Sequence, residues 1–127
     1  MPIDFSFSQE VEDARLMMRG FLQDTVKPAF AALQADKDAQ RADWSALVKS
    51  LRQKAKAQGF WLPHMPQDVG GMGLGVTALA AVSAEAAKIP MGPYIINAQA
   101  PDEGNMHTLY HFATDYQREH FLKPLLE

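Results

Sequence analysis

The stretch GFWLPHMPQDVGGMGLG, residues 59–75, decides how this chain folds. It joins a clean amphipathic run to an almost wholly apolar one and carries five of the eight glycines. Gly70, Gly71, Gly73 and Gly75 can take positive φ without a Cβ clash, so the backbone is free to turn tightly. Pro63 and Pro66 fix their own φ and push the residue before each of them out of helix. Phe60, Trp61 and Leu62 are too apolar for a free linker, which predicts a loop pinned to a core at its leading end. A phosphate-cradling loop is the alternative that such a composition invites. A dinucleotide fingerprint, however, needs a strand before it and an acidic residue about 20 residues after it. The run before residue 59 is helical in pattern, and neither GxGxxG nor GxxxxGK(S/T) is met. The stretch reads as a structural turn.

Working outward toward the N-terminus, Trp44, Leu47, Val48, Leu51 and Ala55 fall on one helical face, with Asp43 as the expected cap and Gly59 as the stop. Residues 36–43 form a polar connector. Before it, Ser8 is a good cap for a long helix whose buried stripe is Val11, Met18, Phe21, Leu22 and Val26. Pro28 should kink or interrupt that helix near Val26. Toward the C-terminus, residues 76–88 are alanine-rich with only Glu85 and Lys88 charged, which predicts a helix buried inside a bundle. Residues 89–93 are a break, and 94–100 fit a short helix or a buried strand. Asp102 is the expected cap of a helix with its body at 106–113. Thr114 to Gln117 reads as a capping box opening a last helix, in which Pro124 is an internal blemish. The fold class is all-α, a bundle of five or six helices.

At 127 residues the chain has the length of one domain, and no apolar run approaches the about 20 residues of a membrane span. Its first ten residues resemble neither a signal nor a transit peptide, so the default expectation is a cytoplasmic protein. Zero cysteines exclude disulfides and thiolate chemistry, and a net charge of −3 argues against nucleic acid as a partner. Lys49, Arg52, Lys54 and Lys56 form one local basic run with no acid between Trp44 and Gly59. A solvated helix face is preferred for that run over contact with an anionic ligand.

Candidate chemistry is sparse. His107 and His111 stand four apart, as helical metal ligands do, but the Glu of HExxH is missing and only His120 is near as a third ligand. No metal site is expected. Glu85 alone in an apolar helix suggests a general base if buried, but a solvent-facing edge is the preferred place for it. Ser45, Ser50 and Ser83 lie within helices and no nucleophile elbow occurs.

Several stretches in order resemble the N-terminal helical domain of the acyl-CoA dehydrogenase family. Gly59-Phe60-Trp61-Leu62-Pro63, then Pro66 to Gly75, is similar to that family's G…P-x-x-x-GG-x-G-L turn, and the alanine-rich helix with Glu85 to the helix after it. Ala100-Pro101-Asp102-Glu103-Gly104-Asn105-Met106 resembles a segment of one long-chain branch, and Thr114 to Leu126 the closing element. The resemblance implies an enzyme that uses FAD to oxidise acyl-CoA thioesters and passes electrons to an electron-transfer flavoprotein, commonly as a homo-oligomer. It covers only the first of three domains, residues 1–127, leaving the β-barrel and C-terminal helical domains outside this chain. By family position the catalytic carboxylate and most flavin contacts then lie elsewhere, so no residue here is catalytic or cofactor-binding. The same resemblance assigns Ile96, Asn97, Ala100 and Gly104 to the wall of the acyl-chain pocket, the small residues at 100 and 104 leaving room for a long or substituted chain. The alternative is a free-standing helical binding or assembly module without redox activity. On the fragment reading, a cavity wall and a domain interface stay exposed, so the isolated chain should self-associate. Sedimentation at high concentration tests this, with a strictly monomeric profile as the contrary result.

Overall fold

The computed structural model describes residues 6–127 and contains no strand among them. Helix α1 (Gln9–Phe21) passes through a π-helical turn (Leu22–Val26) directly into α2 (Lys27–Ala35). Helix α3 (Arg41–Ala57) precedes the glycine-rich turn, which holds one 3₁₀ turn (Gln67–Val69). Then come α4 (Val76–Ala86), the single-turn α5 (Gly92–Ile95) and α6 (Asp102–Phe112). The chain closes with α7 (Asp115–Gln117), a second π turn (Arg118–Leu122) and α8 (Lys123–Leu126). Counting each helix joined through a π turn once, these are six helical bodies, as the sequence predicts.

Both π turns have the same cause. Pro28 and Pro124 each sit in the first turn of the helix that follows, after a Lys. A proline inside a helix supplies no N–H and its ring strikes the carbonyl four residues back. Widening the preceding turn to π geometry moves that carbonyl aside, so the axis continues where the sequence suggested a break.

The local signals are mostly realised as read. Ser8 Oγ accepts from the Val11 N–H, and Gln117 and Thr114 exchange the two bonds of a capping box at 2.9 and 3.3 Å. Gly59, at φ 78, closes α3: its N–H donates to Lys56 O and that of Phe60 to Ala55 O, the paired bonds of a Schellman stop. Asp43, expected as the cap of α3, lies inside the first turn instead. The helix opens earlier, at Gln40, because the Asp43 carboxylate reaches back to the Gln40 N–H at 2.7 Å. Asp102 is likewise the first residue of α6 and not its cap, with Pro101 before it. Residues 94–100 resolve into the end of one helical turn and an irregular link, not a strand.

Helix α4 reverses its expected pattern. Val76, Ala80, Ser83, Ala84 and Ala87 are exposed, so the helix is not enclosed on all sides. Its buried face is Ala81, Val82, Glu85 and Ala86, packed along α1. Glu85, expected on a solvent-facing edge, is only 4% exposed. The reason is on the neighbouring helix. Arg15 and Arg19 of α1, four apart, donate to its carboxylate at 2.6 and 2.7 Å, and Lys88 is a third partner at 3.1 Å. A buried carboxylate is tolerated when such partners satisfy it.

The turn at 59–75 is the middle of the core. Phe60, Trp61, Leu62 and Met65 join Met18, Phe21, Leu22 and Val26 of the long helix, Leu51 and Ala55 of α3, and Val82 and Ala86 of α4. Gly70 and Gly73 take positive φ, whereas Gly71 is needed for space, since a Cβ there would drive into the Met65 carbonyl. Gly71→Ala should therefore cost about 1–3 kcal/mol. Gly104→Ala, in a helix with open space around it, should be neutral or stabilising by up to about 1 kcal/mol. Urea unfolding of the two variants checks the contrast.

Candidate functional site

The four residues placed on the pocket wall by resemblance divide into two pairs. Ile96 and Asn97 are 0% and 2% exposed, so they face the interior of this domain and touch nothing outside it. Ile96 O accepts the Leu62 N–H at 3.0 Å, and the Asn97 amide donates to Leu125 O at 2.8 Å. Asn97 holds a left-handed backbone at φ 56, which Asn tolerates better than most side chains. This pair ties the segment before α6 to the turn and to the last helix. Ala100 and Gly104 are the exposed pair, Gly104 in the first turn of α6 and Ala100 in the link just before that helix.

From Gly104 the outer face of α6 continues through Asn105, Thr108, His111 and Phe112, all exposed. No residue on this face carries a formal charge, although 21% of the chain is charged. Phe112 is 82% exposed. Depletion of charge around an exposed aromatic marks a surface that is covered when the protein works. Gly104 adds to this. Glycine costs about 1 kcal/mol against alanine within a helix, and nothing in this domain comes within 4 Å of where its Cβ would be. The domain's own packing gives no reason for that glycine.

The turn offers no cradle for a nucleotide. The N–H groups of Gly71, Met72 and Gly73 donate to the carbonyls of Pro66, Leu62 and Met65 at 2.9, 3.1 and 3.0 Å. With those donors committed, the glycine-rich turn has no N–H groups left at residues 71–73 to cradle a phosphate.

The histidines are arranged differently from the sequence expectation. His120 stacks on Tyr116 at 4.0 Å, away from His107 and His111. The neighbour that sequence reasoning missed is His64, buried in the turn with its ring 5.3 Å from that of His107. Between two prolines it belongs to no helical period that could have flagged it. Among the described residues no three His, Asp or Glu side chains converge as metal ligands. Neither ring nitrogen of His64 meets a hydrogen-bonding group of the described residues. Burial, then the nearby His107, pushes His64 down to about 4. Arg19 first, with Lys88 and Arg15, holds Glu85 down at about 2 against the opposing effect of burial.

The comparisons with known proteins agree with this geometry. Residues 8–127 match the family described as "Acyl-CoA dehydrogenase, N-terminal domain". The chain belongs to the acyl-CoA dehydrogenase family. FadE2 of Mycobacterium tuberculosis, named as an acyl-CoA dehydrogenase, is 33% identical over 98% of this chain and 31% of its own length. Acyl-CoA dehydrogenase family member 11 of Gallus gallus is 30% identical over 97% of the chain and 16% of its own length. A solved structure from Mycobacterium abscessus, described as an acyl-CoA dehydrogenase, superposes with a TM-score of 0.81 at 28% identity, covering 96% of this chain and 32% of that one. The chain thus spans about a third or less of these acyl-CoA dehydrogenase relatives. No helix among the described residues is long and apolar enough to cross a membrane.

Acid stability should fall in two windows. His64, lowered from 6.5, contributes stability that is complete above about pH 6.5 and is lost as pH falls toward about 4. Glu85, lowered from 4.5, contributes stability that is lost only as pH falls from about 4.5 toward about 2. Urea midpoints measured against pH should lose the upper window in His64→Phe and the lower one in Glu85→Gln.

Proposed function

We propose that this chain is the N-terminal helical domain of an FAD-dependent acyl-CoA dehydrogenase, occupying residues 1–127, and that the outer start of α6 forms part of the wall of its acyl-chain cavity. The observation that carries the second part is Gly104: an exposed helical glycine, unexplained by its own domain, on an uncharged face. An acyl chain lying against the bare backbone at Gly104, with Ala100 in the link just before α6, supplies the missing reason. Ile96 and Asn97 act behind that surface, fixing where it lies. In this reading the α,β-dehydrogenation of the thioester, the hold on FAD, the contact with an electron-transfer flavoprotein and the homo-oligomeric assembly belong to the remaining two domains. The flavin supplies the redox chemistry and the protein supplies position and electrostatics. Cytoplasmic location is part of the same proposal.

The natural protein's intact mass and visible spectrum test the reading. A mass near three such domains with flavin absorption supports it, and a colourless protein near 14.1 kDa overturns it. In the flavin-bound protein, Gly104→Leu should lower kcat/KM for long acyl-CoAs at least about tenfold relative to short ones, as filling a hydrophobic pocket does. An unchanged chain-length profile would remove Gly104 from the wall.

A further inference from the structure

The basic run of α3 is not the plain solvated face that its sequence suggested. Lys49, Arg52 and Lys56 are spaced three and four apart, so they are neighbours on one side of the helix, whereas Lys54 points elsewhere. Arg52 is only partly exposed and lies between two rings, its guanidinium carbon 4.8 Å from the Trp61 centroid and 5.0 Å from that of Tyr94. Lys56 sits over the same Trp61 ring at 4.3 Å and donates to the Glu127 main-chain carbonyl. Trp61 is itself fixed, its indole N–H donating to Leu126 O at 2.8 Å.

This arrangement restrains Arg52 without using its hydrogen-bonding capacity. The rings hold the guanidinium plane by cation–π contact, and no hydrogen bond or ion pair of the described residues takes any of its N–H donors. Three other arginines are committed, Arg15 to Glu12 and Glu85, Arg19 to Glu85 and Arg118 to the Ala113 carbonyl, whereas Arg41 makes no such bond but also lacks the two rings that restrain Arg52. Among the described residues no carboxylate forms an ion pair with Lys49, Arg52 or Lys56. Three neighbouring cations without an ion-pair partner leave a surplus of positive charge. A planar, restrained fork of donors with that surplus is matched by an oxyanion of charge about −2, which is the chemistry of a phosphoryl group and not of a single carboxylate.

We propose that Arg52, restrained by Trp61 and Tyr94 and flanked by Lys49 and Lys56, is a binding site for a phosphoryl group. The phosphoryl group comes either from a soluble diphosphate ester or from an anionic phospholipid headgroup, which share this chemistry. The site is on the opposite chemistry to the α6 wall, being cationic and aromatic, and does not depend on the acyl-chain reading.

The test uses the 127-residue chain with inorganic pyrophosphate as the probe, followed through the Arg52 Nε–H resonance in a ¹⁵N spectrum. Saturable shifts are expected, with affinity falling at least about tenfold in Arg52→Gln and severalfold in Lys49→Gln, and weakening as salt rises. Lys49 is exposed and outside the ring stack, so its variant keeps the test decisive if Arg52→Gln misfolds. A parallel arm measures sedimentation with phosphatidylglycerol vesicles. Binding of pyrophosphate without vesicle binding identifies a soluble source, and vesicle binding that Lys49→Gln weakens identifies a lipid headgroup. No response to either probe, an equal response in the variants, or an equal response to acetate overturns the proposal.

Discussion

The structure depends on the main chain of Leu62. Its N–H donates to Ile96 O, and its own carbonyl accepts from the N–H groups of both Met65 and Met72. To do this the residue takes a left-handed backbone at φ 51, a conformation that costs a non-glycine residue about 1–3 kcal/mol. Glycine would remove that strain but would also remove a side chain that is 1% exposed in the middle of the core. Burying a leucine is worth about 1.5–3 kcal/mol, so side-chain burial and three main-chain bonds together offset the strain. One residue therefore fastens the turn to itself, to the core and to the segment that precedes α6.

A second constraint holds the opposite side. Helices α1 and α4 meet through a buried carboxylate shared by two arginines, and such a group fixes register because one misplaced turn would leave Glu85 buried without a partner. Small residues around it, Ala81 and Ala86 among them, let the helices approach closely enough for those bonds. The α6 surface is set by the second π turn and α8, on which α6 packs, and by the turn locked at Leu62, to which the segment before α6 is tied. A wall for a ligand needs that kind of support, since its position comes from the elements behind it.

Much of this was legible in the sequence because helices announce themselves by spacing. The stripe from Met18 to Val26, the α3 face, the Schellman stop at Gly59 and the Thr114–Gln117 capping box all follow local rules, and all are present. The order of the turn, the alanine-rich helix and the closing element was enough to indicate the family. What failed was long-range. Glu85 looked like a surface residue because its partners lie 66 and 70 positions away, although the pair Arg15 and Arg19, four apart on α1, was a usable signal. The bundle's exposed alanines on α4 went unseen for the same reason: composition gives apolar content but not which side is covered. Ile96 and Asn97, assigned by alignment to a pocket wall, are buried within this domain, whereas Ala100 and Gly104 are at its surface. His64 and the ring-stacked Arg52 arise from tertiary contacts that no spacing encodes.

The most direct measurement is native-state hydrogen exchange at the amides of Leu62, Met72 and Gly73. If the turn is the centre of the fold, these three protons exchange as slowly as the interior amides of α1 and α4, through global unfolding alone. Exchange orders of magnitude faster than those helices would show a turn that opens by itself, and would contradict a fold fastened at Leu62.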